Sequence, residues 1–127
     1  MTFTRILFVD DDEISTFLSK RLLMQIDSSL DIQVISSGEE AIKYVCEGHP
    51  IDLIFLDINM PGMDGIEFIS EFDISKNSTK IVILTSVELP QKKLSLLKNM
   101  NCCDVILKPL THDKLEAVMP LKDNLSK

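Results

Sequence analysis

Four acidic residues, a hydroxyl and a lysine stand just past short apolar runs in this chain. Asp10-Asp11-Asp12 follows "RILFV", Asp57 follows "LIFL", Thr85-Ser86 follows "IVIL" and Lys108-Pro109 follows "VIL". Carboxylates gathered at one place repel and disfavour joint ionisation. A hard dication relieves that repulsion, and oxygen-only ligands favour Mg²⁺, Mn²⁺ or Ca²⁺ over zinc. Mg²⁺ takes one or two carboxylates, keeps several waters and completes its shell with phosphate oxygens. If these residues share one rim, they suit a Mg²⁺-dependent phosphoryl site, with the metal and Lys108 offsetting incoming negative charge. Thr85 has a hydroxyl to donate to one phosphoryl oxygen. Singly, each has an ordinary reading: the acidic triplet caps a helix, Asp57 opens a turn, Thr85 ends a strand and Lys108 is surface. Only a common edge makes a site of them.

The elements between them decide whether they meet. The runs at 5–9, 32–35, 52–56, 80–84 and 104–107 are continuous rather than alternating, which suits parallel strands covered on both faces. Between the runs, apolar residues recur at helical spacing. One set is Ile14, Phe17, Leu18 and Leu22; the next is Ala41, Ile42 and Val45, and a third is Ile66, Phe68, Ile69 and Phe72. Leu94, Leu97 and Met100 form a fourth, and Leu115 and Val118, with Leu125, a fifth. Ser37-Gly38-Glu39-Glu40 is a capping-box pattern, and Thr111 with Asp113 opens the last helix. Asn99 and Asn101 suit a left-handed helix end, and Pro120 should break or kink the final helix. Five strands alternating with five helices predict a doubly wound α/β sheet, one domain over residues 1–127. Right-handed crossovers in such a sheet align the carboxyl ends of the strands along one edge, where ligands bind.

Bulk properties exclude several function classes. The 127 residues suffice for one core, and a net charge of −7 argues against direct nucleic-acid binding. No apolar stretch approaches membrane-spanning length, and the first residues do not read as a signal peptide, so a cytoplasmic location is expected. Cys46, Cys102 and Cys103 form no metal-binding or disulfide pattern and are expected to be buried small hydrophobes.

"ILFVDDDE", "IFLDINMPGMDG", "IVILTS" and "VILKP" stand in an order and spacing that resembles the receiver domain of two-component response regulators, end to end. The resemblance implies a flavodoxin-like sheet of order 2-1-3-4-5. It implies that Asp57 accepts a phosphoryl group as an aspartyl phosphate, and that Asp10 and Asp11 are an acidic pair, with Asp11 the direct Mg²⁺ ligand. The backbone carbonyl of Asn59 would be a further ligand, alongside Asp57 itself. Thr85 would reorient toward the phosphoryl group, Lys108 would pair with one of its oxygens, and the Lys108–Pro109 peptide would be cis. Ser86 leaves access to the acceptor, while Pro61, Gly62 and Gly65 shape the loop beyond it. Two positions depart from the family pattern. Val105 stands where an aromatic residue often couples to the threonine, and "NMNCCD" replaces the usual glycine-alanine pair before the fifth strand.

The function so implied is that of a signalling phosphoacceptor, not an enzyme acting on a separate substrate. Its cofactor would be Mg²⁺, with Mn²⁺ as the alternative. Its partners would be a sensor histidine kinase or histidine phosphotransfer protein, and an output protein that the sequence does not name. Output would come through protein binding, near Leu89, Pro90 and Val105, or through onward phosphorelay. Ile14, Phe17 and Leu18 read first as core, and by resemblance as a kinase-facing region. Two other classes remain open: an interaction module that works without phosphate, and a phosphohydrolase of the haloacid dehalogenase type with Asp10 as nucleophile. The second leaves "DINMPGMDG" unexplained.

Overall fold

The computed structural model describes residues 4–60, 79–99 and 104–118. Strands β1 (Arg5–Val9), β2 (Asp31–Ile35), β3 (Leu53–Asp57), β4 (Lys80–Thr85) and β5 (Asp104–Leu107) form one parallel sheet in the order β2-β1-β3-β4-β5. Helices α1 (Glu13–Ile26), α2 (Gly38–Cys46), α3 (Gln91–Asn99) and α4 (His112–Val118) connect or follow them. The expected helix around Ile66–Phe72, and Pro61, Gly62, Gly65, Met100, Asn101, Pro120 and Leu125, lie outside the described residues.

The central strands β1, β3 and β4 are buried almost throughout because both faces of the sheet are covered there, whereas the edge strands β2 and β5 are partly exposed. Side chains alternate across the sheet. Ile6, Phe8, Leu53, Phe55, Val82 and Leu84 enter one core with Leu23 of α1 and Leu115 of α4. Leu7, Val9, Ile54, Leu56, Ile81 and Ile83 enter the other with Ala41 of α2 and Leu97 of α3. Phe8 and Phe55 stack across the β1–β3 pair with centroids 4.9 Å apart. Burying each such side chain contributes about 1.5–3 kcal/mol, so the sheet centre is the stable frame.

Helix ends follow the sequence signals. Asp12 caps α1, accepting the amides of Ile14 and Ser15 at 3.1 Å. Ser37 caps α2 through the Glu40 amide, and Thr111 accepts the Lys114 amide in the first turn of α4. Gly48, at φ 91°, follows α2 in the left-handed conformation, and its amide returns to Val45.

Three expectations are corrected. Helix α1 does not turn Ile14, Phe17 and Leu18 to the core; they are 74%, 63% and 57% exposed, and Thr16, Ser19 and Leu23 are buried instead. The small Thr16 and Ser19 sit on the buried side of the helix, and Leu23, with the partly buried Leu22 and Ile26, supplies the apolar packing near its end. Cys46 is exposed at the end of α2 rather than buried, and the other two cysteines are outside the described residues. Strands β3 and β4 each run one residue beyond their apolar run. Asp57 pairs with Leu84, so it is the last rung of the ladder as well as the residue that opens the turn at 58–59, where its carboxylate accepts the Asn59 amide.

Candidate functional site

Strand ends β1, β3, β4 and β5 bring Asp10, Asp57, Thr85 and Lys108 to one edge, as the parallel topology requires. The acidic triplet divides its labour. Asp12 caps α1, Asp11 is exposed, and Asp10 is buried at 2% exposure beside the strand ends. The Asp10 amide donates to Ile35 of β2 at 3.1 Å, which fixes its backbone. Its Oδ1 accepts the Asp12 amide and its Oδ2 accepts the Lys108 Nζ, both at 2.9 Å.

Asp57 is held from the other side. Its Oδ1 accepts the Asn59 amide at 2.9 Å, and its Oδ2 is 3.8 Å from the same Lys108 ammonium. Burial pushes the Asp57 carboxyl up to about 6, and the Asp10 carboxylate beside it acts in the same direction. The Asn59 amide and, more weakly, Lys108 oppose this. Asp10, Asp11 and Asp57 each offer a carboxylate oxygen within a single 4.8 Å cluster. Oxygen donors alone, gathered around more negative charge than one lysine balances, are the donor set of a hard divalent cation.

Lys108 reaches this cluster from a fixed base. Its amide donates to the Thr85 carbonyl at 2.7 Å, tying the end of β5 to the end of β4. The Lys108–Pro109 peptide is cis, as the resemblance implied. Thr85 is buried beside the edge, but its hydroxyl donates to the Val87 carbonyl at 2.8 Å, and the Val87 amide approaches it at 3.3 Å. In this arrangement the hydroxyl serves the loop after β4. A groove of about 410 Å³ opens beside it, lined by Thr85, Glu88, Leu89, Leu94, Val105 and Leu107. Val105 is too short to fill it.

One residue that the sequence did not single out belongs to the site's support. Lys114, in the first turn of α4, donates its Nζ to the carbonyls of Leu107 at 2.6 Å and Pro109 at 3.0 Å, one on each side of Lys108. The only sequence signal for it is a cation where the helix dipole disfavours one.

Among the described residues no helix is long and apolar enough to cross a membrane. Residues 6–119 match the response regulator receiver domain. The transcriptional regulatory protein MalR of Bacillus subtilis is 30% identical over 115 residues, which cover 90% of this chain and 48% of MalR. The chain thus spans less than half of that relative. Among solved structures, a two-component response regulator from Cytophaga hutchinsonii superposes with a TM-score of 0.81 at 29% identity, covering 92% of this chain and 94% of that one. A two-component response regulator from Legionella pneumophila gives 0.78 at 30% identity, covering 90% and 93%. The chain belongs to the response regulator receiver domain family.

Proposed function

We propose that this chain, as a response regulator receiver, accepts a phosphoryl group on Asp57 from a phosphohistidine of a sensor histidine kinase or a histidine phosphotransfer protein. One observation carries the reading: a single ammonium, Lys108, stands between two buried carboxylates. Asp10 has one oxygen on the Asp12 amide and the other on Lys108. Asp57 keeps Oδ2 at 3.8 Å from that ammonium, outside hydrogen-bond reach, so among the described residues this oxygen has no donor bound to it and is the better placed to attack. This argues against Asp10 as the nucleophile of a phosphohydrolase.

In the transfer, an Asp57 oxygen bonds to phosphorus as the phosphorus–nitrogen bond breaks. The departing ring nitrogen keeps the bonding pair and takes up a proton. Lys108 stands ready to pair with a phosphoryl oxygen, and the Thr85 hydroxyl becomes a second donor once it leaves Val87. Asp10, Asp11, Asp57 and the backbone carbonyl of Asn59 would hold Mg²⁺, or Mn²⁺ as the alternative. When bound, that ion supplies the charge compensation that Lys108 alone does not.

Turning Thr85 costs the two hydrogen bonds its hydroxyl makes with Val87 and releases that residue at the start of the 86–90 segment. A phosphoryl group that binds the turned hydroxyl favours that second arrangement, and so shifts the population of the loop and groove toward it. An output protein, or onward relay to another histidine, reads the change. Helix α1 begins directly after the acidic triplet, and its exposed Ile14, Phe17 and Leu18 offer an apolar seat beside the site for the phosphohistidine-bearing partner. We place this acceptor in the cytoplasm, with residues 1–127 forming a receiver domain that promotes its own phosphorylation and dephosphorylation. The test is intact mass after incubation with Mg²⁺ and acetyl phosphate. One added phosphoryl group that requires the metal and is absent from Asp57→Ala supports the reading; no addition in the wild type contradicts it.

A further inference from the structure

We infer that Lys114 is a positioning residue for Lys108: its ammonium clamps the two carbonyls that flank Lys108 and thereby aims that side chain at the carboxylate pair. The inference rests on the phosphoacceptor reading above and adds a residue to it.

Lys114 lies in the first turn of α4, where the exposed amides make a cation unfavourable. Its Nζ turns away from that helix end and takes the carbonyls of Leu107 and Pro109 instead. The Leu107 carbonyl and the Lys108 amide, which donates to Thr85, belong to the peptide before the Lys108 Cα, and the Pro109 carbonyl lies one peptide beyond the Lys108–Pro109 bond. All three are tied. A lysine side chain has many rotamers, and anchoring its backbone at three points limits where its ammonium can go. Lys108 has little tolerance, since its Nζ must serve Asp10 at 2.9 Å while facing Asp57 at 3.8 Å. Helix α4 is itself fixed elsewhere, by Leu115 and Val118 in the core and by Lys80, whose Nζ donates to the Val118 carbonyl. The clamp therefore refers Lys108 to a rigid element.

Two readouts test it, on Lys114→Met, Lys114→Arg and Lys108→Ala in the full chain. In metal-free protein, the Lys108 Cε–Hε NMR correlations, assigned by their loss in Lys108→Ala, should collapse to those of a freely rotating lysine in Lys114→Met and stay dispersed in Lys114→Arg. This arm does not depend on phosphorylation. In the second, the rate of Asp57 phosphorylation by acetyl phosphate should fall by about tenfold in Lys114→Met and recover in Lys114→Arg, as expected when a reacting group is misplaced. In a Lys108→Ala background, Lys114→Met should change the rate no further. An unchanged Lys108 spectrum in Lys114→Met overturns the inference, as does an equal loss of rate in both backgrounds. A wild type that takes no phosphate, with the spectral change intact, faults the phosphoacceptor reading and leaves the clamp standing.

Discussion

The ammonium of Lys108 lies 2.9 Å from Asp10 and 3.8 Å from Asp57, so one cation is shared unequally by two carboxylates at adjacent strand ends. Asp10 is well served and Asp57 is not. Burial raises the Asp57 carboxyl and Lys108 lowers it only weakly; under the phosphoacceptor proposal, the response to metal and the reactivity of the site follow from the same unequal pair.

The first consequence is a pH dependence of stability. The Asp57 carboxyl titrates at about 6 in the fold, against 3.8 for an ordinary aspartate. Below the lower value both states hold the proton and the group is neutral in effect. Between the two, the folded chain keeps a proton that the unfolded chain has lost, so stability falls as pH rises and then levels. Asp57→Asn removes this loss. Its urea midpoint should exceed that of the wild type above roughly pH 7, and the gain should vanish near roughly pH 4. A gain that is the same at both pH values contradicts the assignment. Saturating Mg²⁺ should erase most of the difference at the higher pH.

Removing the shared cation should cost stability as well as reactivity. Lys108→Ala leaves the Asp10 carboxylate buried without a counter-charge, and breaking a buried pair in this way costs about 3 kcal/mol. Added Mg²⁺ should restore part of that loss if the proposed site at Asp10, Asp11 and Asp57 takes it as a replacement cation. Denaturation curves with and without the metal measure both effects. A loss under about 0.5 kcal/mol without metal would show that the pair is effectively solvated.

The exposure pattern of α1 separates packing from recognition. Leu23→Ala should destabilise by about 2–5 kcal/mol, as a buried leucine truncation does. Phe17→Ala should stay within about 0.5 kcal/mol of the wild type, as surface changes do. The same Phe17→Ala should slow phosphorylation by a protein donor but leave the reaction with acetyl phosphate intact. Equal destabilisation by the two substitutions would return Phe17 to the core.

Most of the sheet was legible because parallel strands covered on both faces leave continuous apolar runs, and because topology then aligns whatever follows each run. Asp10, Asp57, Thr85 and Lys108 were found that way. The ends of β1, β2 and β5 fall where the apolar runs stop, but β3 and β4 run one residue further, since Asp57 and Thr85 join the hydrogen-bond ladder and there the change from apolar to polar does not mark where pairing stops. The face of α1 was misread for a related reason. Apolar spacing alone cannot distinguish a stripe that packs on the sheet from one left for a partner, and here Thr16 and Ser19 occupy the inner side. Lys114 was invisible because its partners are main-chain carbonyls, which carry no side-chain signature in the sequence. The present state of Thr85 could not be read either, because its hydroxyl is bound to a carbonyl two residues away.

The most direct test of the central claim is to trap the acyl phosphate where it forms. Protein treated with acetyl phosphate and Mg²⁺ would be reduced with borohydride, which converts an aspartyl phosphate to homoserine, and then digested and mapped by mass spectrometry. The account predicts homoserine at position 57 and unmodified aspartate at positions 10, 11 and 12. Homoserine at position 10, or its absence from every position in a protein that has gained a phosphoryl group, would contradict it.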